Sequence, residues 1–583
     1  MTGFSAVRLF AERARAAAPD FDLNAELPAV LAVCRALDGM PLAIELAASW
    51  RRMLPTGAIR AEIERSLDFL HSTATGVPPR HRSLQGVFEH SWLLLDEDER
   101  AAFCRLSVFQ AAFDREAAAA IAGADLHMLS RLVDHSLIQQ TASGRFEMLA
   151  SIRQYAAQKL HEQPYSGRTR RAYAEYYLGL AQRLGRKIKG PQQAEMLARI
   201  SSDVEHIRAA WRMATANRSI VLLEQAADTL WFFHEMRSQF VEGLHLFEAA
   251  ARAFAGHAEA HTMRLYNRLK ARQGWFLYRL GDYQQAEDLV AACVRTARAV
   301  QAEDEVAFGL DILGPLAYHR GDYSMAAQYM ETSRKLRRRL GDTWGESVAL
   351  NNLGAVTFTL GNIEKARQLH EECLALKLPT GDPWLLAYTY NHLGRVAFAQ
   401  ERYEDARMHF QECINQATRI DYRLLIAGTH QNIGRIHLGT GQPEAARDSL
   451  QRAVAILESI GDGCGTAQAL GYLGEAHYQL NHLAAAQHVL QRGLRLARIC
   501  DSPPLILDII TRLAIINGDT GPADAVEILT MVTMQTHTPQ HTLELAQSLL
   551  EGLRDQLSEP DFQAAADRGR RGSTSAAVDR LTA

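Results

Sequence analysis

The chain has 583 residues, of which 47% are hydrophobic and 22% are charged. This composition excludes bulk disorder and allows about three to five folding units. The 63 basic and 67 acidic residues give a net charge of −4, which excludes a strongly basic, nucleic-acid-binding chain. No apolar run approaches the roughly 18 residues of a membrane span, and the first residues contain no secretory signal. Seven cysteines without a CxxC or short Cys/His spacing predict reduced thiols, no metal site and a cytoplasmic location.

Short amphipathic helices are predicted in the first 77 residues, which we assign to a small helical module. They are expected over residues 4–18, 27–38, 41–53 and 58–70. Asp38-Gly39 and Pro41 provide the stop and start signals between the second and third helices.

Residues 78–162 follow the pattern of three helices, a hairpin and a further helix. The runs 136–140 and 145–149 are strand-like and flank a four-residue turn. Three helices and a two-stranded wing predict a winged-helix domain. A DNA-reading helix normally presents several Arg, Lys or amide side chains. Because the candidate helix over 126–133 has only Arg131, between Asp125 and Asp134, the pattern disfavours direct DNA contact.

A repeat of 40 residues organises the chain from 266 to 503. Glycine recurs in one column, at Gly274, Gly314, Gly354, Gly394, Gly434 and Gly474. A small residue recurs in another, at Cys293, Ser333, Cys373, Cys413, Ala453 and Gly493, so we interpret these three cysteines as packing residues. Turn signals separate the two halves of several units, at Gly281-Asp282, Gly321-Asp322, Gly361-Asn362 and Glu401-Arg402. The pattern predicts stacked helix–turn–helix units that form a mainly α, right-handed superhelical solenoid.

The repeat columns resemble the tetratricopeptide repeat (TPR), whose usual period of about 34 residues is shorter. The resemblance predicts six repeats over 266–503, with helices about one turn longer than usual. We assign 163–265 to a helical connector and a degenerate first repeat, and 504–583 to a degenerate repeat and capping helices.

Polar residues recur on the first helix of each repeat, where a concave groove is expected. The candidate ligand residues are Asp311, Asn351, Asn352, Asn391, His392, Arg395, Gln431, Asn432 and Arg435. The segments NNLG, NHLG and QNIG are similar to repeats of kinesin light chain, in which such asparagines bind the backbone of an extended peptide. A carboxamide can both donate to and accept from a peptide unit, and arginine can pair with a carboxylate. The alternative is that these residues bridge neighbouring helices.

Several further segments carry a second resemblance: AVRLFAERARAAAPDF (6–21), CRALDGMPLAIELAA (34–48), LSRLVDHSLI (129–138) and RFEMLASIRQYAAQKL (145–160). They resemble the STAND class of signal-transducing NTPases, in particular bacterial NB-ARC-like transcriptional regulators with C-terminal TPRs. The segment GMPLA (39–43) corresponds to the GLPLA motif of that family, whose proline packs on adenine. The resemblance therefore implies a nucleotide contact at Pro41.

The chain departs from that family because it has no glycine-rich phosphate loop ending in GK[ST] and no strand ending in acidic Mg²⁺ ligands. It begins close to the GMPLA segment, so we expect the second half of such a protein, without the nucleotide core. We predict no catalytic residues, no enzymatic activity and no cofactor, with ADP or ATP bound only if a core is supplied elsewhere.

The favoured function is a non-enzymatic regulatory or scaffold protein that binds a protein or peptide in its TPR groove, away from any membrane. One alternative is an ATP- or ADP-dependent STAND transcriptional regulator whose core lies upstream or is missing. A second alternative is a winged-helix DNA-binding regulator.

Overall fold

The computed structural model describes residues 5–37, 39–65, 84–256, 259–518, 521–536 and 538–582. Two compact units form, the first from Met1–Leu180 and Asp203–Asn217, the second from Ala181–Ser202 and Arg218–Ala583. The domain boundary predicted after residue 77 lies outside the described residues, and the other predicted boundaries stay predictions.

The start of the first unit consists of the short helices predicted from the sequence. Their bounds are α1 Ser5–Ala17, α2 Leu23–Ala36, α3 Pro41–Ser49, a 3₁₀ turn Trp50–Arg52 and α4 Thr56–Arg65. Helix α2 begins four residues earlier than predicted because the Asp22 side chain caps it, accepting a hydrogen bond from the Asn24 amide at 2.9 Å. Pro41 is the first residue of α3, where its missing N–H costs nothing. Asp38 and the predicted helical residues 66–70 lie outside the described residues.

The predicted winged-helix elements follow in the same unit. Their bounds are α5 Leu84–Leu93, α6 Glu97–Leu106, α7 Arg115–Ala122, α8 Leu126–Asp134, β1 Gln139–Gln140, β2 Phe146–Glu147, α9 Ala150–His161 and α10 Ser166–Gly185. Aspartate side chains cap α6, α7 and α8. The wing strands are shorter than predicted: they are antiparallel, and Gln139 pairs with Glu147 and Gln140 with Phe146.

Helix pairs stacked one after another form most of the second unit, and α10 and α11 have residues in both units. The helices are α11 Gln193–Ala216, α12 Ile220–Met236, α13 Phe240–Ala253, α14 Ala260–Leu280, α15 Tyr283–Ala299, α16 Glu303–His319, α17 Tyr323–Arg339, α18 Thr343–Thr359, α19 Ile363–Lys377 with a 3₁₀ turn Leu378–Thr380, α20 Pro383–Ala399, α21 Tyr403–Arg419, α22 Arg423–Gly439, α23 Pro443–Ile460, α24 Gly463–Gln479, α25 Leu483–Ile499, α26 Pro503–Gly518, α27 Pro522–Thr533, α28 Gln540–Arg554, α29 Glu559–Arg571 and α30 Thr574–Thr582. The predicted six repeats correspond to the pairs from α14–α15 to α24–α25.

Each glycine of the repeat column lies against a large side chain of the second helix, sixteen residues later. The pairs are Gly274–Val290, Gly314–Met330, Gly354–His370, Gly394–Phe410, Gly434–Leu450 and Gly474–Leu490. A methyl group added at Gly394 would lie 2.7 Å from Phe410 Cε1, well inside van der Waals contact. The two helices of a repeat therefore approach so closely that only hydrogen fits at this position.

The cysteines fall into two groups. Five are buried free thiols: Cys34, Cys104 and, in the positions that we interpreted as packing sites, Cys293, Cys373 and Cys413. Cys464 and Cys500 instead form a disulfide, with Cα atoms 5.8 Å apart. The prediction that all seven thiols are reduced is wrong for this pair. The reason is that α24 and α25 are antiparallel, so the beginning of one lies beside the end of the other.

Gly394→Ala should lower the free energy of unfolding by about 1–3 kcal/mol, because a methyl group would overpack a filled contact. Gly428, in the middle of α22, is the matched control, since a methyl group there has no atom within 4 Å. Gly428→Ala should stabilise the helix by about 0.5–1 kcal/mol. Guanidinium unfolding followed by circular dichroism measures both, and an unchanged midpoint for Gly394→Ala would contradict the close-approach argument.

One large side chain facing the glycine column is a buried histidine. His370 is 1% exposed, and its Nδ1 donates a hydrogen bond to Asn351 Oδ1 at 3.1 Å. Its ring stacks on His392, with centroids 4.8 Å apart. Burial lowers the pKa of His370 to about 3, with a smaller contribution from the charge of Arg395.

We expect stability to fall as pH decreases from about 6.5, because the unfolded chain then binds a proton at His370 that the folded chain does not. This group alone should account for roughly 2 kcal/mol between pH 7 and pH 5. His370→Gln keeps a donor for Asn351 but removes the titration, so it should remove that part of the acid sensitivity. Chemical unfolding at both pH values tests this, with His488→Gln, an exposed histidine of α25, as the control. An acid loss as large in His370→Gln as in the control would contradict the prediction.

Candidate ligand groove

A cavity of about 240 Å³ opens among the first helices of the repeats in the second unit. Helices α12, α14, α16, α18 and α20 contribute most of its lining. The aromatic part of the wall comprises Trp275, Tyr278, Tyr318, Trp384 and Tyr388. The polar part includes Glu235, Arg279, His319, Asn351, Asn352, His392 and Arg395. Because aromatic side chains carry much surface and few rotatable bonds, such a wall can bind a ligand side chain at low entropic cost.

The aromatic wall is held by ring contacts between repeats. Trp384 stacks on Trp344 of the preceding repeat at 5.3 Å between ring centroids and meets Tyr388 edge-on at 5.1 Å. The Trp344 indole donates a hydrogen bond to Asp382 Oδ2 at 2.8 Å. These contacts fix the rings before any ligand arrives, which preorganises the cavity.

Asp311, Asn351 and Asn391, in the first predicted polar column, tie neighbouring helices together. Asp311 is 6% exposed, pairs with Arg337 at 2.8 Å and accepts a hydrogen bond from Ser333. Asn351 touches the cavity, but its Nδ2 donates to Thr389 at 3.0 Å and its Oδ1 accepts from His370. The geometry therefore fits the bridging alternative for Asp311 and Asn351.

The rest of that column behaves similarly. Asn391 is 8% exposed, and its Oδ1 accepts a hydrogen bond from Asn432 Nδ2 at 2.8 Å. Gln431 is also buried. A buried amide is costly unless it is hydrogen-bonded. Asn351 and Asn391 already use such bonds within the protein, so they are poorly placed to bind a peptide backbone.

The second predicted column is closer to the cavity. Asn352 and His392 line it, and so does Arg395, one turn after Asn391. Burial lowers the pKa of His392, and the neighbouring His370 and Arg395 lower it further, so this ring is neutral at pH 7. The structure therefore brings four of the predicted groove residues together around one cavity: Asn351, Asn352, His392 and Arg395.

Arg435 occupies in α22 the position that Arg395 occupies in α20. Its guanidinium carbon lies 5.8 Å from the ring centroid of Phe398 and 5.0 Å from that of Tyr472. Arg435 is half-buried and does not line the described cavity.

Sequence reasoning missed Glu235 and its partners. Glu235 is 1% exposed and accepts hydrogen bonds from Trp275 Nε1 and from the Tyr422 hydroxyl, each at 2.8 Å. It also pairs with Arg279 at 3.4 Å. The sequence did contain a signal for this site, namely a carboxylate within the apolar segment WFFHEM (231–236). A charged group in such a segment is expected to be buried and therefore needs a partner.

The segment before the repeats also contacts the first helices. The Lys189 ammonium lies 3.9 Å from the ring centroid of Trp344. Gln193 is buried, donates to Ile188 O at 2.7 Å and to Asp382 Oδ1 at 3.3 Å, and accepts from the Trp384 amide at 3.0 Å. Gln193 thus provides hydrogen-bond partners for the Trp384 amide and the Asp382 side chain at the beginning of α20.

The winged helix places its single candidate DNA-reading arginine in ion pairs. Arg131 of α8 lies 2.5 Å from Glu99 and 3.5 Å from Asp96. These carboxylates neutralise the charge that would bind a phosphate. Pro41, the candidate adenine contact, is exposed at the beginning of α3, and its nucleotide role stays a prediction.

Neither a cluster of metal-binding side chains nor a helix fit to cross a membrane occurs in the part of the chain that the structure describes. Within it, no group of three or more His, Cys, Asp or Glu side chains is arranged to hold a metal ion. None of its helices combines the length and apolarity that crossing a membrane requires. The cytoplasmic location stays a prediction.

Known protein families match two parts of the chain. Residues 307–378 and 385–459 match the tetratricopeptide repeat family, and residues 95–161 match the winged helix-turn-helix domain. The predicted repeats and the predicted winged helix are therefore both confirmed.

Several curated proteins that resemble the chain are mycobacterial. A predicted HTH-type transcriptional regulator of Mycobacterium tuberculosis is 33% identical over 258 residues, which cover 42% of this chain and 29% of the relative. An uncharacterized protein of the same species is 34% identical over 189 residues, covering 30% of this chain and 47% of the relative. The chain thus spans less than half the length of either relative.

Solved structures give weaker similarities. A STAND protein with a tetratricopeptide repeat sensor from Pyrococcus horikoshii superposes with a TM-score of 0.47 and 13% identity, covering 98% of this chain and 75% of that one. A Rap protein complexed with Competence and Sporulation Factor gives a TM-score of 0.39 and 13% identity, covering 56% of this chain and 98% of that one. TM-scores this low carry no argument about function.

Taken together, the matched repeats, the matched winged helix and the HTH-type relatives fit the resemblance to STAND-type regulators. The chain contains tetratricopeptide repeats and a winged helix-turn-helix domain in the predicted order.

Proposed function

We propose that this chain is a non-enzymatic regulatory or scaffold protein that binds a peptide segment of a partner protein in the groove formed by its repeats. The cavity on the first helices carries the proposal. It combines a preformed aromatic wall with a few convergent polar side chains, among them Asn352 and Arg395, which is the usual composition of a ligand site.

The size of the cavity favours a peptide over a small molecule. Its volume of about 240 Å³ is below the roughly 300–1,000 Å³ that small-molecule sites occupy. It can hold one or two side chains, and the remainder of a longer ligand would lie along the neighbouring first helices. A peptide with an aromatic or long apolar anchor fits this description.

A role in transcriptional regulation is part of the proposal. The winged helix and the HTH-type names of the relatives support it, although the chain spans 29% of the named regulator. In this view the groove is the sensor of a signalling protein. The alternative is a nucleotide-dependent regulator with its core supplied elsewhere. A measurement of nucleotide binding distinguishes the two. The ion pairs of Arg131 do not favour the second alternative, direct DNA reading by α8.

A selection from random 12-residue peptides displayed on phage, against the full chain, should enrich peptides with a shared aromatic or apolar anchor. Ala355 lines the cavity, so Ala355→Trp should fill it and weaken the selected peptides at least about tenfold in fluorescence anisotropy. Ala484→Trp, at an exposed position of α25, is the matched control and should bind as the wild type does.

Circular dichroism melting should show that both tryptophan variants are folded. Failure to enrich any peptide, or equal affinity of the peptides for wild type and Ala355→Trp, would overturn the groove proposal.

The chain should neither hydrolyse ATP nor bind Mg·ATP with micromolar affinity, because its sequence has no GK[ST] phosphate loop. Isothermal titration calorimetry and a phosphate-release assay test this on the purified chain. Saturable micromolar binding that Pro41→Ala weakens would instead support the nucleotide-dependent alternative.

A further inference from the structure

Aromatic rings hold two arginines of the first helices, Arg395 and Arg435. The guanidinium carbon of Arg395 lies 5.1 Å from the ring centroid of Phe358, and Arg435 lies near Phe398 and Tyr472. Contact with a ring face orients the planar guanidinium without using the N–H groups that lie in its plane. Arg395 also has the Tyr318 hydroxyl as a hydrogen-bond partner, which leaves its other N–H groups to donate to a ligand. The fold thus fixes two hydrogen-bonding forks, one per repeat.

In the part of the chain that the structure describes, neither arginine has an acidic partner. Among the described residues, no Asp or Glu oxygen lies within 4.0 Å of Arg395 or Arg435. The two charges also influence each other: burial lowers the pKa of Arg395, and the positive charge of Arg435 lowers it further. Two like charges held without a counter-charge are unfavourable, and an anionic ligand would relieve the repulsion.

Other arginines of the first helices show that the fold can supply carboxylates when it needs them. Arg279 pairs with Glu235, and Arg512 of α26 pairs with Asp508 at 3.1 Å and also with Glu475. Arg395 and Arg435 lie between these two positions along the stack. The absence of a carboxylate partner is therefore specific to the two described repeats that contain Arg395 and Arg435.

The remaining groups of the cavity do not cancel this charge. Glu235, the carboxylate found among its described lining residues, is already balanced by Arg279. Burial lowers the pKa of His319 to about 4 and also lowers that of His392, so both rings are neutral at pH 7. The cavity and the adjoining Arg435 thus carry uncompensated positive charge.

The spacing of the two arginines favours a particular ligand backbone. Neighbouring packed helices lie about 8–10 Å apart, and Arg395 and Arg435 occupy equivalent positions on α20 and α22. In a polyproline II segment, residues i and i+3 lie on the same side, about 9 Å apart. Two acidic residues three positions apart can therefore face the two guanidinium groups at once.

We propose that Arg395 and Arg435 form an anion subsite that binds two carboxylates, three residues apart, of an extended acidic peptide. This rests on the proposed function, because it names the ligand class of the same groove. Each carboxylate would accept charge-assisted hydrogen bonds from one guanidinium.

The probe is fluorescein-labelled (Glu-Pro-Pro)₅, which places a carboxylate at every third residue of a polyproline II helix. At about 50 mM salt, where surface screening is limited, we expect saturable binding in fluorescence anisotropy. The isosteric neutral peptide (Gln-Pro-Pro)₅ and the clustered peptide Glu₅Pro₁₀ should bind at least about tenfold more weakly. Binding of all three peptides with equal affinity, or no binding of the first, would overturn the proposal.

The protein variants assign the effect to the two residues. Arg395→Gln with Arg435→Gln should weaken (Glu-Pro-Pro)₅ at least about tenfold. The matched control is Arg447→Gln, an arginine of α23 that pairs with Asp448 outside the groove, and it should bind like the wild type. If the double Gln variant does not melt cooperatively, the double Lys variant replaces it. Lysine keeps the charge but not the fork, so affinity should be intermediate.

Affinity unchanged in the double variant would remove the anion subsite. The peptides selected by display distinguish that failure from failure of the groove itself. If Ala355→Trp weakens them and the arginine variants do not, the groove remains and only the anion subsite is wrong.

Discussion

The contact between a repeat glycine and the large side chain sixteen residues later sets the geometry on which the groove depends. At Gly394 the second helix is so close that a methyl group would overlap Phe410. Because the same contact recurs every 40 residues, each helix pair is built in nearly the same way. Equivalent side chains of successive first helices then fall in line, so that Arg395 and Arg435 present the same atoms one helix spacing apart.

Close packing also decides which polar residues are free to bind. An amide on the side facing the next repeat loses water when the repeats stack, so it must find a partner within the protein. Asn351 finds His370 and Thr389, and Asn391 finds Asn432. One position further along the helix, Asn352 and His392 point into the cavity instead. On α18 and α20 a shift of one residue, about 100° around a helix, thus separates a residue that ties helices together from one that can bind a ligand. On α22 the shifted residue, Asn432, instead donates to Asn391.

Much of the fold could be predicted because its signals are local. The glycine column, the Gly-Asp turns and the strand-like wing are all visible within one repeat or one hairpin. What could not be predicted depends on residues far apart in the chain. Glu235 contacts Tyr422 across 187 positions, and Gln193 caps the beginning of α20 across 191 positions. No periodic pattern marks such pairs. The disulfide of Cys464 and Cys500 was not predicted for a simpler reason. Its separation of 36 residues indicates contact only when the two helices are known to be antiparallel.

The near-neutral net charge of the chain hides a local imbalance. A balance of 63 basic and 67 acidic residues describes the whole chain, in which many arginines pair with carboxylates, as Arg367 does with Glu364 and Glu371. A ligand in the groove senses only the few charges that face it, through a region where water is partly excluded and Coulomb interactions are stronger. There, stacking on Phe358, Phe398 and Tyr472 keeps Arg395 and Arg435 in place without a counter-ion. Aromatic rings can position a cation without neutralising it, whereas a carboxylate does both. The choice of rings over carboxylates at these two positions keeps the positive charge available to an incoming ligand.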